Sequence, residues 1–254
     1  MEISGKTGLL GLIGSPVGHS GSPAMYNYSF EILDLDYRYL AFDIPVEKTE
    51  DAVNAFRTFN MKGGNVTMPC KGEVAKYMDE LSPASRIIGA CNTIINKDGK
   101  LIGDITDGKG YVRNLKENGV DIKGKKMTIM GAGGAATAIQ VQAALDGVKE
   151  ISIFNRKDAF YERAQKTVKD INEKTNCKAT LYDLEDLDKL KEEIASSYIF
   201  TNATGMGMKP LEGQTYIPDK SFLRKDLIVT DVVYAPAETA LLKMAKEVGC
   251  KTLN

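Results

Sequence analysis

Four short polar clusters in the first half of the chain carry side chains able to do chemistry. They are His19-Ser20-Gly21-Ser22-Pro23, Asn65-Val66-Thr67-Met68-Pro69-Cys70-Lys71, Gly89-Ala90-Cys91-Asn92-Thr93 and Gly103-Asp104-Ile105-Thr106-Asp107-Gly108. Each lies at the end of an apolar run or in a turn. Together they offer hydroxyls, amides, an ammonium and a carboxylate. That inventory suits binding a small polyhydroxylated acid and moving a proton. Taken singly, each has a plainer reading. Ser22 and Asp107 are good helix caps, Asn65 and Asn92 good turn residues, and Lys71 a solvated lysine.

A fifth motif supplies a redox partner for that proton. Gly131-Ala132-Gly133-Gly134-Ala135-Ala136 follows an apolar run, Lys126–Met130, and opens a helix. Gly131 permits the tight turn, Gly133 lets backbone approach a pyrophosphate, and Ala136 is small enough for close helix–strand packing. The helix N-terminus adds N–H donors and partial positive charge. A bare βα turn with nothing bound is the plainer alternative. The next strand ends in Asn155-Arg156-Lys157-Asp158, where the adenosine ribose of a dinucleotide belongs. In such a pairing the nicotinamide performs the redox step, and the protein supplies orientation and the acid/base group.

The elements that must position these groups are legible from periodicity. Strands are expected at Leu9–Ile13, Tyr37–Asp43, Asn65-Val66, Thr93–Asn96 and Leu101–Ile105. Helices are expected at Pro23–Leu33, capped near Ser22, and at Val46–Asn60, ending before a Gly63-Gly64 break. Ser82-Pro83 starts a further helix, and Lys97-Asp98-Gly99 reads as a hairpin turn. In the second half, strands at Lys126–Met130, Ile151–Phe154, Ala179–Tyr182, Tyr198–Thr201 and Leu227–Val233 alternate with helices. Those helices are Gly133–Leu145, Ala159–Lys174, Leu187–Ser196 and Glu238–Val248. Such alternation implies a parallel sheet with right-handed crossovers. The expected fold class is α/β: an N-terminal α/β substrate domain over residues 1–118 and a C-terminal Rossmann-like, doubly wound parallel-sheet domain over 119–254. Gly108–Asn118 is the natural connector, and the cleft between the domains the default ligand site.

Composition narrows the function classes. The 254 residues are 43% hydrophobic and 26% charged, as in ordinary globular proteins. Lys plus Arg number 33 and Asp plus Glu 34, a net charge of −1, so no basic footprint for nucleic acid or anionic membrane exists. No apolar run reaches the roughly 18 residues of a spanning helix, and no secretory leader is read at the N-terminus. Cys70, Cys91, Cys177 and Cys250 form no close pair, and His19 is the sole histidine. A metal-free, disulfide-free cytoplasmic protein is expected.

The clusters, the Gly131–Asp158 region, Thr201-Asn202-Ala203-Thr204-Gly205-Met206-Gly207-Met208 and Asp231-Val232-Val233-Tyr234 together resemble the shikimate and quinate dehydrogenases, in order and spacing, from Leu9 to Asn254. The resemblance implies an oxidoreductase interconverting 3-dehydroshikimate and shikimate, or 3-dehydroquinate and quinate, with NAD(H) or NADP(H), in aromatic amino-acid biosynthesis. It implies that Ser20 and Ser22 bind the substrate carboxylate and that Asn65, Thr67, Asn92 and Asp107 hold ring hydroxyls. Lys71 is then the catalytic lysine, relaying the proton, with Asp107 as its partner. Ala132, Gly133, Gly134 and Ala135, after Gly131, form the pyrophosphate loop, and Asn155, Arg156 and Asp158 the adenosine end. Gly205, Val232 and Tyr234 line the way to the nicotinamide and substrate, Tyr234 on the substrate side, with Met208 near the nicotinamide or merely packing. No metal is implied. The partners are a small-molecule substrate, no nucleic acid and no membrane, with a homodimer left open.

The sequence departs from the family pattern at Gly21 (commonly Leu), Tyr26 (commonly His) and Ile105 (commonly Asn). The pattern also continues past Leu253-Asn254 with a glycine turn, a Met-rich helix and a ring-contacting glutamine. Either the sequence stops short of the protein's end or the chain is truncated, and only in the second case is part of the substrate domain's cover missing. NADP-selective members follow the Asn-Arg pair with Thr and another basic residue. Here Lys157 and Asp158 stand there. A carboxylate accepts from both ribose hydroxyls of NAD and repels a 2′-phosphate, whereas Arg156 and Lys157 pull the other way. Asp158 as a helix cap is the plainer alternative. NAD is the expected cofactor, with NADP used more weakly. Two other functions stay open: a dehydrogenase of another small hydroxy acid, and a non-catalytic nucleotide-binding regulator. The second needs neither Lys71 nor Asp107.

Overall fold

The computed structural model describes residues 2–254. Its first half runs β1 (Gly8–Gly14), α1 (Ser22–Ile32), β2 (Tyr37–Asp43), α2 (Thr49–Thr58), β3 (Gly63–Val66), α3 (Lys71–Val74), β4 (Glu80–Leu81), α4 (Pro83–Ile88), β5 (Thr93–Lys97) and β6 (Lys100–Asp104). These strands form one sheet in the order β2-β1-β3-β5-β6-β4. It is mixed: β1 pairs in parallel with β2 and β3, while β5 is antiparallel to β3 and β6. The Asp98-Gly99 turn joins β5 to β6 with φ of 53° and 89°. Positive φ at both central residues suits the right-handed twist of a two-residue hairpin.

Alternation along β1 feeds two cores, because successive side chains leave opposite faces of a strand. Ile13 packs with Val53 and Phe56 of α2. Leu12 packs with Phe30 of α1 and with Tyr39. Gly63-Gly64, expected as a break, instead lies within β3. A Cβ on Gly64 would collide with the Gly11 carbonyl, so the glycines let strands approach rather than end. Ser22 is the first helical residue of α1 and Gly21 its cap, without a side-chain capping bond. Ser82 does cap α4, accepting from the Ser85 N–H at 3.3 Å.

The second half runs α5 (Asp107–Glu117), β7 (Lys126–Met130), α6 (Gly134–Leu145), β8 (Glu150–Asn155), α7 (Tyr161–Lys174), β9 (Lys178–Asp183), α8 (Leu187–Ser196), β10 (Ile199–Asn202), β11 (Ile228–Asp231), α9 (Ala240–Val248) and β12 (Lys251–Leu253). Its sheet is wholly parallel, in the order β12-β11-β10-β7-β8-β9. Counted within this half, that order is 6-5-4-1-2-3, the doubly wound dinucleotide-binding arrangement. Helix α6 is buried from Ala136 to Ala144, as a helix without a polar face must be.

The chain divides into two compact units between Thr106 and Asp107. The expected boundary after residue 118 therefore moves, and α5 belongs to the second unit rather than serving as a connector. The reason is packing. A Cβ on Gly108 would overlap the Ala138 carbonyl of α6. The Tyr111 hydroxyl sits 2.7 Å from Thr201 Oγ1 and 2.9 Å from Thr230 Oγ1. Among the described residues, no helix is long and apolar enough to cross a membrane.

Candidate active site

In the first unit, the ends of β1 and β3 and the start of α1 surround a cavity of about 280 Å³. Ser20, Ser22, Asn65, Thr67, Lys71 and Asn92 all line it, so six of the expected site residues come together. His19, Met25 and Tyr26 join them from the loop before α1 and from α1 itself.

Backbone bonds lace these segments. Thr67 N donates to Ile13 O at 2.9 Å, and Val66 N to Asn92 O at 2.8 Å. Cys91 N donates to the Lys71 carbonyl at 3.0 Å, tying the lysine's backbone to the segment that carries Asn92. Ser22 N donates to Ser20 Oγ at 3.2 Å, which fixes the two serines relative to each other.

Asn92 is buried, and its Oδ1 accepts three bonds: from Thr93 Oγ1 at 2.9 Å, Thr106 N at 3.0 Å and Thr106 Oγ1 at 3.2 Å. The acceptor end of its amide is therefore engaged inside the protein. Cys91, the neighbouring thiol, is fully buried. Burial, then the Asp104 charge, pushes its pKa up to about 12, so it holds no thiolate at neutral pH.

Asp107 opens α5 as the first residue of the second unit, directly after Thr106. Ile105, in place of the common Asn, is buried.

The second unit holds its own cavity, about 250 Å³, at the carboxyl ends of β7, β8 and β10. Gly131, Ala132, Gly133, Asn155, Arg156, Asp158 and Gly205 line it, as expected. Gly131 has φ +111°, and a Cβ there would stand 2.6 Å from the Ala203 carbonyl, so the turn demands glycine. Around Gly133 and Gly134 nothing lies within 4 Å of an added Cβ. Open space beside the start of a twelve-residue helix fits a pyrophosphate. Gly134 and Ala135 form that first turn and are exposed.

In the loop after β8, Asp158 Oδ1 accepts from Asn155 Nδ2 at 3.1 Å and from Phe160 N at 2.9 Å. The helix cap is Phe160, so Asp158 shapes the turn before α7 rather than capping it. Arg156 lies 3.9 Å from Asp158, and Lys157 pairs with Asp183 at 3.0 Å. That bond raises the Lys157 pKa.

Four expected residues lie outside this cavity's lining: Gly134, Ala135, Val232 and Tyr234. Val232 N donates to Asn202 O at 3.0 Å, and Tyr234 is 84% exposed. Conversely, Phe160, Leu184, Thr204, Met206, Leu211 and Tyr216 line the cavity without having been singled out as site residues. Thr204 follows the carboxyl end of a parallel strand, a position that marks ligand sites in such sheets. The others come mainly from loops without periodic signal. No group of three or more metal-ligating side chains occurs among the described residues. All four cysteines are free and buried.

A family model described as the shikimate dehydrogenase substrate binding domain matches residues 12–94. The shikimate dehydrogenase (NADP(+)) of Listeria innocua is 61% identical over 253 residues, spanning 100% of this chain and 87% of that protein. The crystal structure of shikimate 5-dehydrogenase from Listeria monocytogenes, in complex with shikimate and NAD, matches with a TM-score of 0.97 at 60% identity, covering 100% of this chain and 88% of that one. Quinate dehydrogenase from Corynebacterium glutamicum, in complex with NAD, matches with a TM-score of 0.83 at 30% identity, covering 97% and 87%.

Proposed function

The chain belongs to the shikimate dehydrogenase family, and on that premise we propose that it interconverts 3-dehydroshikimate and shikimate by hydride transfer with a nicotinamide cofactor. The observation that carries this reading is the first-unit cavity, which gathers two serines, a threonine, two asparagines and a lysine. Ser20 and Ser22 offer compact donors to the carboxylate, and Asn65, Thr67 and Asn92 hold the ring hydroxyls. Lys71 takes the hydroxyl proton as the carbonyl forms and returns it in the reverse direction. Asp107 orients the lysine and the reacting hydroxyl. The bound nicotinamide supplies the hydride acceptor or donor. Gly131 to Ala135 hold its pyrophosphate, and Asn155, Arg156 and Asp158 its adenosine.

Three finer points belong to the same reading. NAD is used in preference to NADP; what supports this is that Asp158 lines the second cavity while Lys157 is engaged by Asp183. Shikimate is preferred to quinate, which adds a hydroxyl beside the carboxylate, but quinate also reacts, since hydroxyl donors discriminate weakly against one added hydroxyl. The enzyme works in the cytoplasm. Turnover measured for shikimate and quinate, each with NAD and NADP, tests all but the last. No turnover of either acid with either nucleotide defeats the proposal. A kcat/KM far higher for quinate reverses the substrate order.

A further inference from the structure

We infer that Tyr39 is a positioning residue that fixes which end of the Asn65 amide is offered to the ligand. The inference rests on the assignment of the first-unit cavity to the substrate. Tyr39 is buried on β2, with 1% of its surface exposed, and does not itself line the cavity. Its hydroxyl reaches across β1 and donates to Asn65 Oδ1 at 2.9 Å. The amide's acceptor end is thereby engaged inside the protein. Its NH2 end, 3.5 Å from the Asn92 carbonyl, is the one left to recognise an acceptor on the substrate.

Two further contacts hold the tyrosine. Its ring stacks on the cavity-lining Tyr26, with centroids 4.5 Å apart and planes 11° from parallel. Its backbone lies on an edge strand, and Asn27 of α1 covers that edge from both sides of the peptide. Tyr39 N donates to Asn27 Oδ1 at 2.9 Å, and Asn27 Nδ2 donates to Tyr39 O at 2.8 Å. Burial, with Tyr26 nearby, raises the phenol's pKa, so it stays a donor throughout the working range. An unheld asparagine amide presents either end at little cost. One with a fixed donor distinguishes ligand hydroxyls that can accept from groups that cannot.

The test is a double-mutant cycle on KM and kcat for shikimate. Tyr39→Phe keeps the ring stack and removes only the hydroxyl. It should raise KM about 3–10-fold, the loss expected for one net hydrogen bond, with kcat within about twofold and the cofactor KM unchanged. Tyr39→Phe combined with Asn65→Ala should be no worse than Asn65→Ala alone. Asn65→Asp keeps an acceptor for Tyr39 but loses the donor, so it should bind shikimate no better than Asn65→Ala. A wild-type KM for Tyr39→Phe, additive losses in the double variant, or wild-type binding by Asn65→Asp overturns the role of Tyr39. A wild-type KM for Asn65→Ala instead overturns the assignment of the cavity to substrate, and the inference with it.

Discussion

Asn202 Nδ2 donates to the buried carboxylate of Asp231 at 2.9 Å, joining the carboxyl ends of the neighbouring strands β10 and β11. Asn202 Oδ1 accepts from Thr204 N at 3.2 Å and Thr204 Oγ1 at 2.7 Å, while its Nδ2 also donates to Met206 O at 3.1 Å. Asp231 accepts from Thr239 Oγ1, the cap of α9, at 2.7 Å. One buried carboxylate thus organises both the loop that lines the second cavity and the start of a helix.

Replacing that carboxylate should therefore loosen the cavity rather than only the core. Asp231→Ala leaves Asn202 and Thr239 with unpaired buried donors, at a cost of about 1–3 kcal/mol each. We expect a lower urea midpoint together with a raised KM for the nicotinamide cofactor. Destabilisation with an unchanged cofactor KM would show that the loop holds its shape without Asp231.

Glu193 makes the stability of the second unit sensitive to acid. It is buried, yet it pairs with Lys126 at 2.6 Å and Lys189 at 3.0 Å and accepts from Ser152 Oγ at 2.6 Å. Burial acts to raise its pKa, but these bonds outweigh it and hold the carboxyl at about 2. A carboxyl depressed on folding contributes stability above its ordinary value of 4.5 and loses it as pH falls toward 2. Glu193→Gln should be clearly less stable than wild type at pH 7, and the gap should close between pH 4.5 and pH 2. Urea midpoints across that range check this, and a gap independent of pH contradicts it.

Lys71→Ala should lower kcat about 10²–10⁴-fold, the range for a lost acid/base group. KM should change less, because five other residues of the cavity remain to bind the ring. Asp107→Ala should harm both parameters. The double variant should lose less than the product of the two, since groups acting as a unit are non-additive. Steady-state kinetics of the three variants decides the matter, and near wild-type kcat for Lys71→Ala removes the lysine from the mechanism.

On the proposed cofactor reading, Asp158→Ala should shift preference toward NADP, since it removes a carboxylate from the second cavity and leaves Arg156 to meet a 2′-phosphate. The ratio of KM values for NAD and NADP measures it. A wild-type KM for NADP far below that for NAD would mean that the basic pair prevails.

What the sequence determined by itself was local. Lys126–Met130 and Leu187–Ser196 match their expected bounds residue for residue, because period-2 and period-3.6 patterns are carried within the segment. The Asp98-Gly99 turn, the glycine-dependent turn at Gly131 and the polar clusters that carry the first cavity's six residues were legible from residue type at strand ends and turns, while the choice of those six within the clusters came from the family resemblance. Strands β4 and β12, two and three residues long, carry no period to detect. Only the tertiary structure decided the rest. It placed Gly63-Gly64 inside a strand, drew the unit boundary before α5, and brought Tyr39 to Asn65 and Asn202 to Asp231. Those pairs are 26 and 29 positions apart. Their meeting depends on strand order and register, which arise from burying whole faces of the sheet and leave no mark in any short stretch of sequence.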